Sequence, residues 1–375
     1  MRAVHGILMP MKGGFNRFLR TEFAPPRYLS FPAAGIDVSA SGIKIACLKE
    51  RTHGLELSEY ADVPLPEGAI VGGEIMNGET VVAALKEIAR KHGIRNANIT
   101  LPEARSYLFE ADVTGKTAKE WRTGVEQHLD EHVPIPPAEV IFDIVPLGTP
   151  AETTHVAGVG VARRVVELAL SVFDEAGIRV NAIEGETFAL PRALLPHGDN
   201  ETILIIDLGK TTTKLAVVSH RIPVFATTLD IGGHALTVAV QKYFNVSEEE
   251  AKKVKAERGL VASDDNQEYL AAMLSTVSVI REEIVKRLEY WQSRAQAGTP
   301  HEPVTRAVLV GGNATVRGLP EYLETSLKVP VELGDVFTNL AKRDDWLPPV
   351  DYMESLAYAT AIGLALREYV PHHAD

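Results

Sequence analysis

The chain has 375 residues, 45% hydrophobic and 23% charged, with a formal net charge of −12. This is enough chain for two or more domains with ample core, while the acidic excess argues against a nucleic-acid binder, which needs a basic face to displace phosphate counterions. A single cysteine, Cys47, excludes an internal disulfide and a Cys-rich zinc site and fits a reducing compartment. No apolar run approaches the roughly 20 residues that span a bilayer, and the N-terminus lacks the pattern of a secretory signal, so a cytoplasmic protein is expected.

Residues 1–33 stand apart as a basic extension. Arg2, Lys12, Arg17, Arg20 and Arg27 face only Glu22, and Phe15, Phe18, Leu19 and Phe23 recur at helical spacing. Two readings stay open: a short amphipathic helix over residues 12–23 in contact with an anionic membrane surface, or a loosely docked extension. Residues 34–62 read as two or three strands, beginning with a hairpin, Gly35–Leu48. An amphipathic helix at Val81–His92 is closed by Gly93, and a short strand at Asn98–Leu101 stops at Pro102.

From 102 to 178 the pattern becomes strand (Ser106–Val113), helix (Ala118–His132), strand (Val140–Pro146), strand (Thr153–Val161) and helix (Arg163–Glu175). This block reads as an inserted subdomain. A helix around Glu186–Leu195 leads to a second hairpin, Ile203–Val218, and a strand at Arg221–Leu229. Ile231-Gly-Gly-His234 then opens a helix through Tyr243, and a charged segment, Ser247–Leu260, precedes a long helix at Tyr269–Arg294. The chain ends with a strand at Ala307–Val310 running into Gly311-Gly312-Asn313, a helix at Leu319–Leu327, a strand at Val329–Leu333 and a helix at Ser355–Val370. Alternating strands and helices make the class α/β.

The two hairpins are copies. Both read Ile-Asp-(Val/Leu)-x-x-(Ser/Thr)-x-x-Lys-(Ile/Leu)-Ala, so Asp37 falls on Asp207, Lys44 on Lys214 and Ala46 on Ala216. A separation of about 170 residues is far too long for a solenoid repeat and indicates two related halves of one fold. Each tip is built of small and hydroxyl-bearing residues (Ser39 and Ser41; Gly209, Thr211 and Thr212), as a phosphate-binding turn requires. Asp37 and Asp207 at paired strand ends suit Mg²⁺ held through water, because that ion keeps most of its shell. Gly311 and Gly312 at a later strand end would let a flat base pass close to the backbone. No GxxxxGK(S/T) loop occurs.

Hairpin, second hairpin, then Gly-Gly with a short helix resembles the signature of the actin, Hsp70 and sugar-kinase ATPase superfamily. Residues 34–370 resemble more narrowly the PilM family of type IV pilus assembly, a relative of the division protein FtsA. That resemblance includes Ile99-Thr-Leu-Pro102, His132-Val-Pro-Ile-Pro-Pro137 followed by Asp143, Glu175-Ala-Gly177, Ile231-Gly-Gly-His-Ala-Leu-Thr237 and Ala361-Ile-Gly-Leu-Ala-Leu-Arg367. It implies an actin-like, ribonuclease H-like two-lobed ATPase fold with an inserted, SHS2-like 1C subdomain. Subdomain 1A would comprise 34–101, 179–200 and 351–370; 1C, 102–178; 2A, 201–235 and 301–350; and 2B, 236–300.

By the same resemblance ATP with Mg would sit between the lobes. Asp37 and Asp207 would face the metal; Ser39, Ser41, Gly209, Thr211 and Thr212 the phosphates, with Lys44 in the first hairpin beside them; and Lys255, Gly311, Gly312 and Asn313 the nucleoside. The implied partner is the cytoplasmic N-terminal tail of a PilN-like inner-membrane protein, held between 1A and 1C, with the pilus motor or platform as a further contact and a location peripheral to the inner membrane. Two departures bear on nucleotide binding. Ser39 stands where the family has Gly, and Ala251-Lys252-Lys253-Val254-Lys255 replaces Ala-Glu-x-x-Lys.

No water-activating carboxylate or glutamine stands out in the sequence, so no catalytic residue is assigned. An FtsA-like tether would end in an amphipathic helix, whereas this sequence stops at Pro371-His-His-Ala-Asp375; a sugar-type kinase would need a catalytic Asp that is not evident; a type II secretion counterpart would continue into a transmembrane segment. Gly158-Val-Gly160 departs from a dinucleotide fingerprint because Arg163 occupies the third glycine position. Scattered histidines without HxxxH or HExxH spacing argue against a metal site built on His.

Overall fold

The structure, a computed structural model, describes residues 32–148, 151–263, 266–296, 301–342 and 344–369. The described residues from Ala33 onward belong to one compact unit, which contains both lobes of the fold. The expected helix at 12–23 lies outside the described residues.

The first lobe is organised by β1 (Ala34–Ser39), β2 (Gly42–Arg51) and β3 (Gly54–Val63), an antiparallel meander. A two-stranded ribbon follows, β4 (Ile70–Val71) and β5 (Glu74–Ile75), and then helix α1 (Gly78–His92). Val81, Val82, Leu85 and Ile88 put one apolar face of α1 into the core. Its start is capped by the Asn77 side chain, which accepts from Thr80 N at 3.1 Å, an arrangement that stabilises by about 1 kcal/mol. Gly93 ends it in the left-handed conformation. β6 (Asn96–Leu101) then runs parallel to β1.

The inserted segment carries β7 (Ser106–Thr114), α2 (Ala118–Gln127), α3 (Leu129–His132), β8 (Val140–Pro146), β9 (Thr153–Ala162) and α4 (Arg163–Glu175). Its sheet has the order β7-β9-β8. It has its own core, in which Phe109, Trp121, Val125, Leu129, Val140 and Phe142 are buried together. The helix expected over 118–132 is interrupted at His128, which leaves α-helical geometry between α2 and α3. Val165, Val166, Ala169, Val172 and Phe173 of α4 pack in the first-lobe core beside the α1 residues, so this helix straps the insert to that lobe.

β10 (Arg179–Gly185) has no counterpart among the strands read from the sequence; it pairs parallel to β6 at the sheet edge. α5 (Glu186–Leu194) follows directly. The second lobe repeats the first with β11 (Thr202–Leu208), β12 (Thr213–Ser219) and β13 (Ile222–Leu229) as its meander. Helices α6 (Gly233–Phe244), α7 (Glu248–Arg258) and α8 (Gln267–Gln296) come next. β14 (Arg306–Val310), α9 (Leu319–Leu327) and β15 (Val331–Leu333) complete the sheet.

The two principal sheets have the orders β3-β2-β1-β6-β10 and β13-β12-β11-β14-β15. Each is a meander whose first strand takes a parallel neighbour on its other side, so the duplication read from two hairpins extends to the whole sheet. The closing helix is shorter than expected: α10 (Tyr352–Ser355), a 3₁₀ turn, α11 (Ala359–Ala365) and a second 3₁₀ turn. α11 lies on β1 so closely that a Cβ on Gly35 would overlap Ala361 O and come within 2.7 Å of Ala365 N. Asn98 Nδ2 also donates to Leu364 O at 3.0 Å, fixing β6 to the same helix. Among the described residues no helix is long and apolar enough to cross a membrane.

Candidate functional site

Asp37 and Asp207 lie near the ends of β1 and β11, and each faces its hairpin lysine across the antiparallel pair, Asp37 opposite Lys44 and Asp207 opposite Lys214. The lysines then diverge. Lys44 Nζ turns to Asp62 Oδ2 at 3.3 Å, on β3. Lys214 Nζ binds Glu186 and lies 3.8 Å from Asp207 Oδ2. Asp37 is buried and its Oδ1 accepts from Thr100 Oγ1 on β6 at 3.2 Å.

Glu186, the first residue of α5, was not found by sequence reasoning. Burial pushes its carboxyl up to about 7; Lys214 opposes that shift, while Asp37 and Asp207 add to it. Burial works against the Lys214 ammonium, but Glu186, Asp207 and Asp37 outweigh it and hold the group above its ordinary value. Three carboxylates, those of Asp37 and Glu186 buried and that of Asp207 partly so, thus surround one ammonium, leaving an excess of negative charge that an added cation would offset. Among the described residues no group of three His, Cys, Asp or Glu is arranged to hold a metal directly.

The second hairpin is fixed from behind. Gly209 O accepts from Gly233 N (2.9 Å) and Lys210 O from His234 N (2.8 Å), so the tip is pinned to the start of α6. Thr211 is exposed and Thr212 half-buried. Asn313 joins this tip to the remaining sequence-selected residues: its Nδ2 donates to Gly209 O at 3.0 Å, and its Oδ1 accepts from Lys255 Nζ at 2.7 Å. Lys255 also donates to Gly233 O (3.2 Å) and Thr237 Oγ1 (3.0 Å). Burial, with Lys252 nearby, lowers its amine to about 8, against the pull of Glu248. Gly311 has φ +96°, and a Cβ there would meet Asp207 Oδ1 and approach Leu208 O to 2.6 Å. Only glycine fits that conformation and that approach. Gly312 follows it in the turn after β14.

The first hairpin is closed by side chains. Ser39 Oγ and Ser41 Oγ share a hydrogen bond of 2.9 Å, and Ser39 Oγ donates to Gly42 O at 3.3 Å. Ser39 ends β1 in extended backbone, so the serine at this position is tolerated without strain. The structure therefore gathers Asp37 and Asp207 around Glu186 and Lys214, and Gly209, Gly311, Asn313 and Lys255 around one another. It turns Lys44 away toward Asp62.

A separate apolar groove opens between the first sheet and the strap helix. Val38, Ile70, Leu101, Pro102, Leu168 and Phe173 line it, with Glu74 and Arg164 among its polar residues. Arg164 Nη2 donates to Glu74 Oε1 at 2.9 Å. Leu168, Val71 and Met76 are exposed in the segments around it.

The family model described as type IV pilus assembly protein PilM matches residues 35–369. The chain belongs to this family. A solved structure described as the PilM-PilN type IV pilus biogenesis complex superposes with a TM-score of 0.75 at 22% identity, covering 92% of this chain and 100% of that one. MreB5 of Spiroplasma citri bound to AMPPNP gives 0.50 at 15% identity, over 83% of this chain and 94% of that one, and the same protein bound to ADP gives 0.50 at 16% identity over the same shares. The fold is the actin-like, two-lobed one that the hairpins implied, and the protein is an actin-like member of the type IV pilus assembly machinery.

Proposed function

We propose that this protein binds Mg-ATP between its lobes and, in that state, acts as a cytoplasmic scaffold at the inner membrane. The observation that carries the reading is the cluster of Asp37, Asp207 and Glu186 around Lys214, whose surplus negative charge fits a hydrated divalent cation. Asp37 and Asp207 would hold the Mg²⁺ water shell, Ser39, Ser41, Gly209, Thr211 and Thr212 the phosphates, and Gly311, Gly312, Asn313 and Lys255 the nucleoside. When bound, Mg²⁺ supplies charge neutralisation for the phosphates.

The groove supports the partner half of the reading. A protein of this fold has been solved in a PilM-PilN complex. The apolar channel beside Pro102 and Leu168 suits an extended segment such as the cytoplasmic tail of a PilN-type inner-membrane protein. The insert's separate core supports its treatment as subdomain 1C, with α4 tying it to 1A. Anchoring by the partner's tail would place the protein peripheral to the inner membrane, within reach of the pilus motor or platform.

Calorimetric titration with Mg-ATP and, separately, with a peptide copying the partner's tail tests both halves. Wild type should bind both, Asp207→Asn the peptide alone, and Leu168→Arg Mg-ATP alone. Peptide binding without any nucleotide affinity would sink the ATP half, and absence of both would sink the whole reading.

A further inference from the structure

The groove and the nucleotide cleft are built on the same strand ends. β1 and β6 run parallel, and side chains alternate between the faces of a sheet. Val38 and Leu101 therefore serve the groove face, while Asp37 and Thr100 turn toward the cleft and bond to each other. Thr100 also borders the groove, so its hydroxyl reaches a cleft carboxylate from a residue that helps to wall the other site.

One residue beyond Pro102 the second link begins. Glu103 is buried, and its Oε2 accepts from Thr187 Oγ1 at 3.0 Å and Thr187 N at 3.4 Å. Gly185 gives α5 no side-chain cap, so Glu103 satisfies a first-turn donor of that helix from a different part of the chain. The residue beside Thr187 is Glu186. Burial raises the Glu103 carboxyl, with the Thr187 hydrogen bonds and Lys214 opposing, so its electrostatic surroundings extend into the cleft cluster. The same turn is tied outward as well: Arg105 Nε donates to Gly72 O at 3.0 Å and lies 3.5 Å from Glu74 Oε1, on the ribbon that forms the groove's outer wall.

We propose that Thr100 and Glu103 are positioning residues that couple the groove to the cleft, so that an extended peptide in the groove tightens Mg-nucleotide binding by fixing Asp37 and Glu186 in place. The proposal rests on the functional reading given above. Ordering the Pro102–Glu103 turn and the end of β1 in advance removes part of the ordering cost that the nucleotide would otherwise meet. Because the coupling is thermodynamic, the nucleotide must tighten the peptide by the same factor.

The test is a linkage cycle on the full chain, using Mg-ATP and a synthetic peptide with the sequence of the cytoplasmic tail of the PilN-type protein from the same genome. In wild type, saturating peptide should lower the Mg-ATP Kd by about 5-fold or more, and saturating Mg-ATP should lower the peptide Kd equally. Thr100→Val and Glu103→Gln should each still bind both ligands, with the factor reduced to within about 2-fold. Thr100→Ser, which keeps the hydroxyl, should restore it. Absence of any Mg-ATP affinity in wild type refutes the functional reading itself. Two ligands that bind without affecting each other, or that weaken each other, refute the coupling alone. Folded variants that keep the full factor remove Thr100 and Glu103 as its carriers.

Discussion

Replacing Glu186 by Gln should change how stability depends on pH, and the size of the change follows from the cleft. The carboxyl rises from an ordinary 4.5 to about 7 because it is buried. Below pH 4.5 it is protonated in both folded and unfolded chains and imposes no cost. As pH rises through the window the unfolded chain ionises first, and the folded state becomes progressively less favourable until Glu186 has ionised there too. At roughly 1.4 kcal/mol per pH unit, the gap between 4.5 and about 7 costs the wild-type fold about 3 kcal/mol by pH 8. Lys214 keeps its charge over this range, since its carboxylate neighbours hold it above 10.5. The amide that replaces the carboxyl in Glu186→Gln has no proton to lose, so the variant should gain about 3 kcal/mol relative to wild type between pH 4.5 and pH 8. Urea unfolding in EDTA, at half-unit pH steps, reads this difference directly. Excess Mg²⁺ in place of EDTA should narrow it, by bringing positive charge to the wild-type carboxylates. Parallel stability curves for the two proteins would refute the buried-carboxylate account.

Three further outcomes are expected. Gly311→Ala forces a side chain into φ +96° against Asp207; it should cost at least about 1–2 kcal/mol in urea unfolding and over 10-fold in Mg-ATP affinity, and unchanged affinity would show that the turn does not border the site. Lys255, with its amine lowered to about 8, is charged below that pH and neutral above it, so Mg-ATP affinity should fall as pH rises through 8 in wild type and stay flat in Lys255→Met when followed calorimetrically. Gly35→Ala must push α11 off β1; a loss of about 1–3 kcal/mol or more is expected, and a change under about 0.5 kcal/mol would contradict the close approach.

Much of this was legible because it repeats. The hairpin copies put Asp37 on Asp207 and Lys44 on Lys214, and each pair does hold the same place in its meander, while helices with clear apolar stripes, such as α1 and α4, fell where their patterns put them. β10 was missed for a physical reason. It is a seven-residue edge strand carrying Arg179, Asn181 and Glu184, with no alternation strong enough to distinguish it from a linker between two helices. That omission also hid Glu186. In α/β folds ligand-facing groups gather just beyond strand C-termini, and a carboxylate immediately after Gly185 has that position only once β10 is recognised. The different fates of Lys44 and Lys214 were not readable either, because identical local motifs are sorted by distant partners, Asp62 in one case and Glu186 in the other. Glu103 was not singled out for the same reason: Thr187, its partner, lies 84 residues further along.

The position of α11 has a consequence for the order in which the molecule is made. β1 and β6 carry the Gly35 and Asn98 contacts that await this helix, and Asn98 meets Leu364 across 266 residues of sequence. At about 5–20 residues per second of synthesis, β1 and β6 leave the ribosome roughly 13–53 s or more before the helix that covers them. During that interval the duplicated second lobe is also being made, with a meander of the same topology and a matching open edge. The nascent chain must therefore keep its early sheet from pairing with its own later copy, and the polar edge strand β10, already in place beside β6, is well suited to that guarding role.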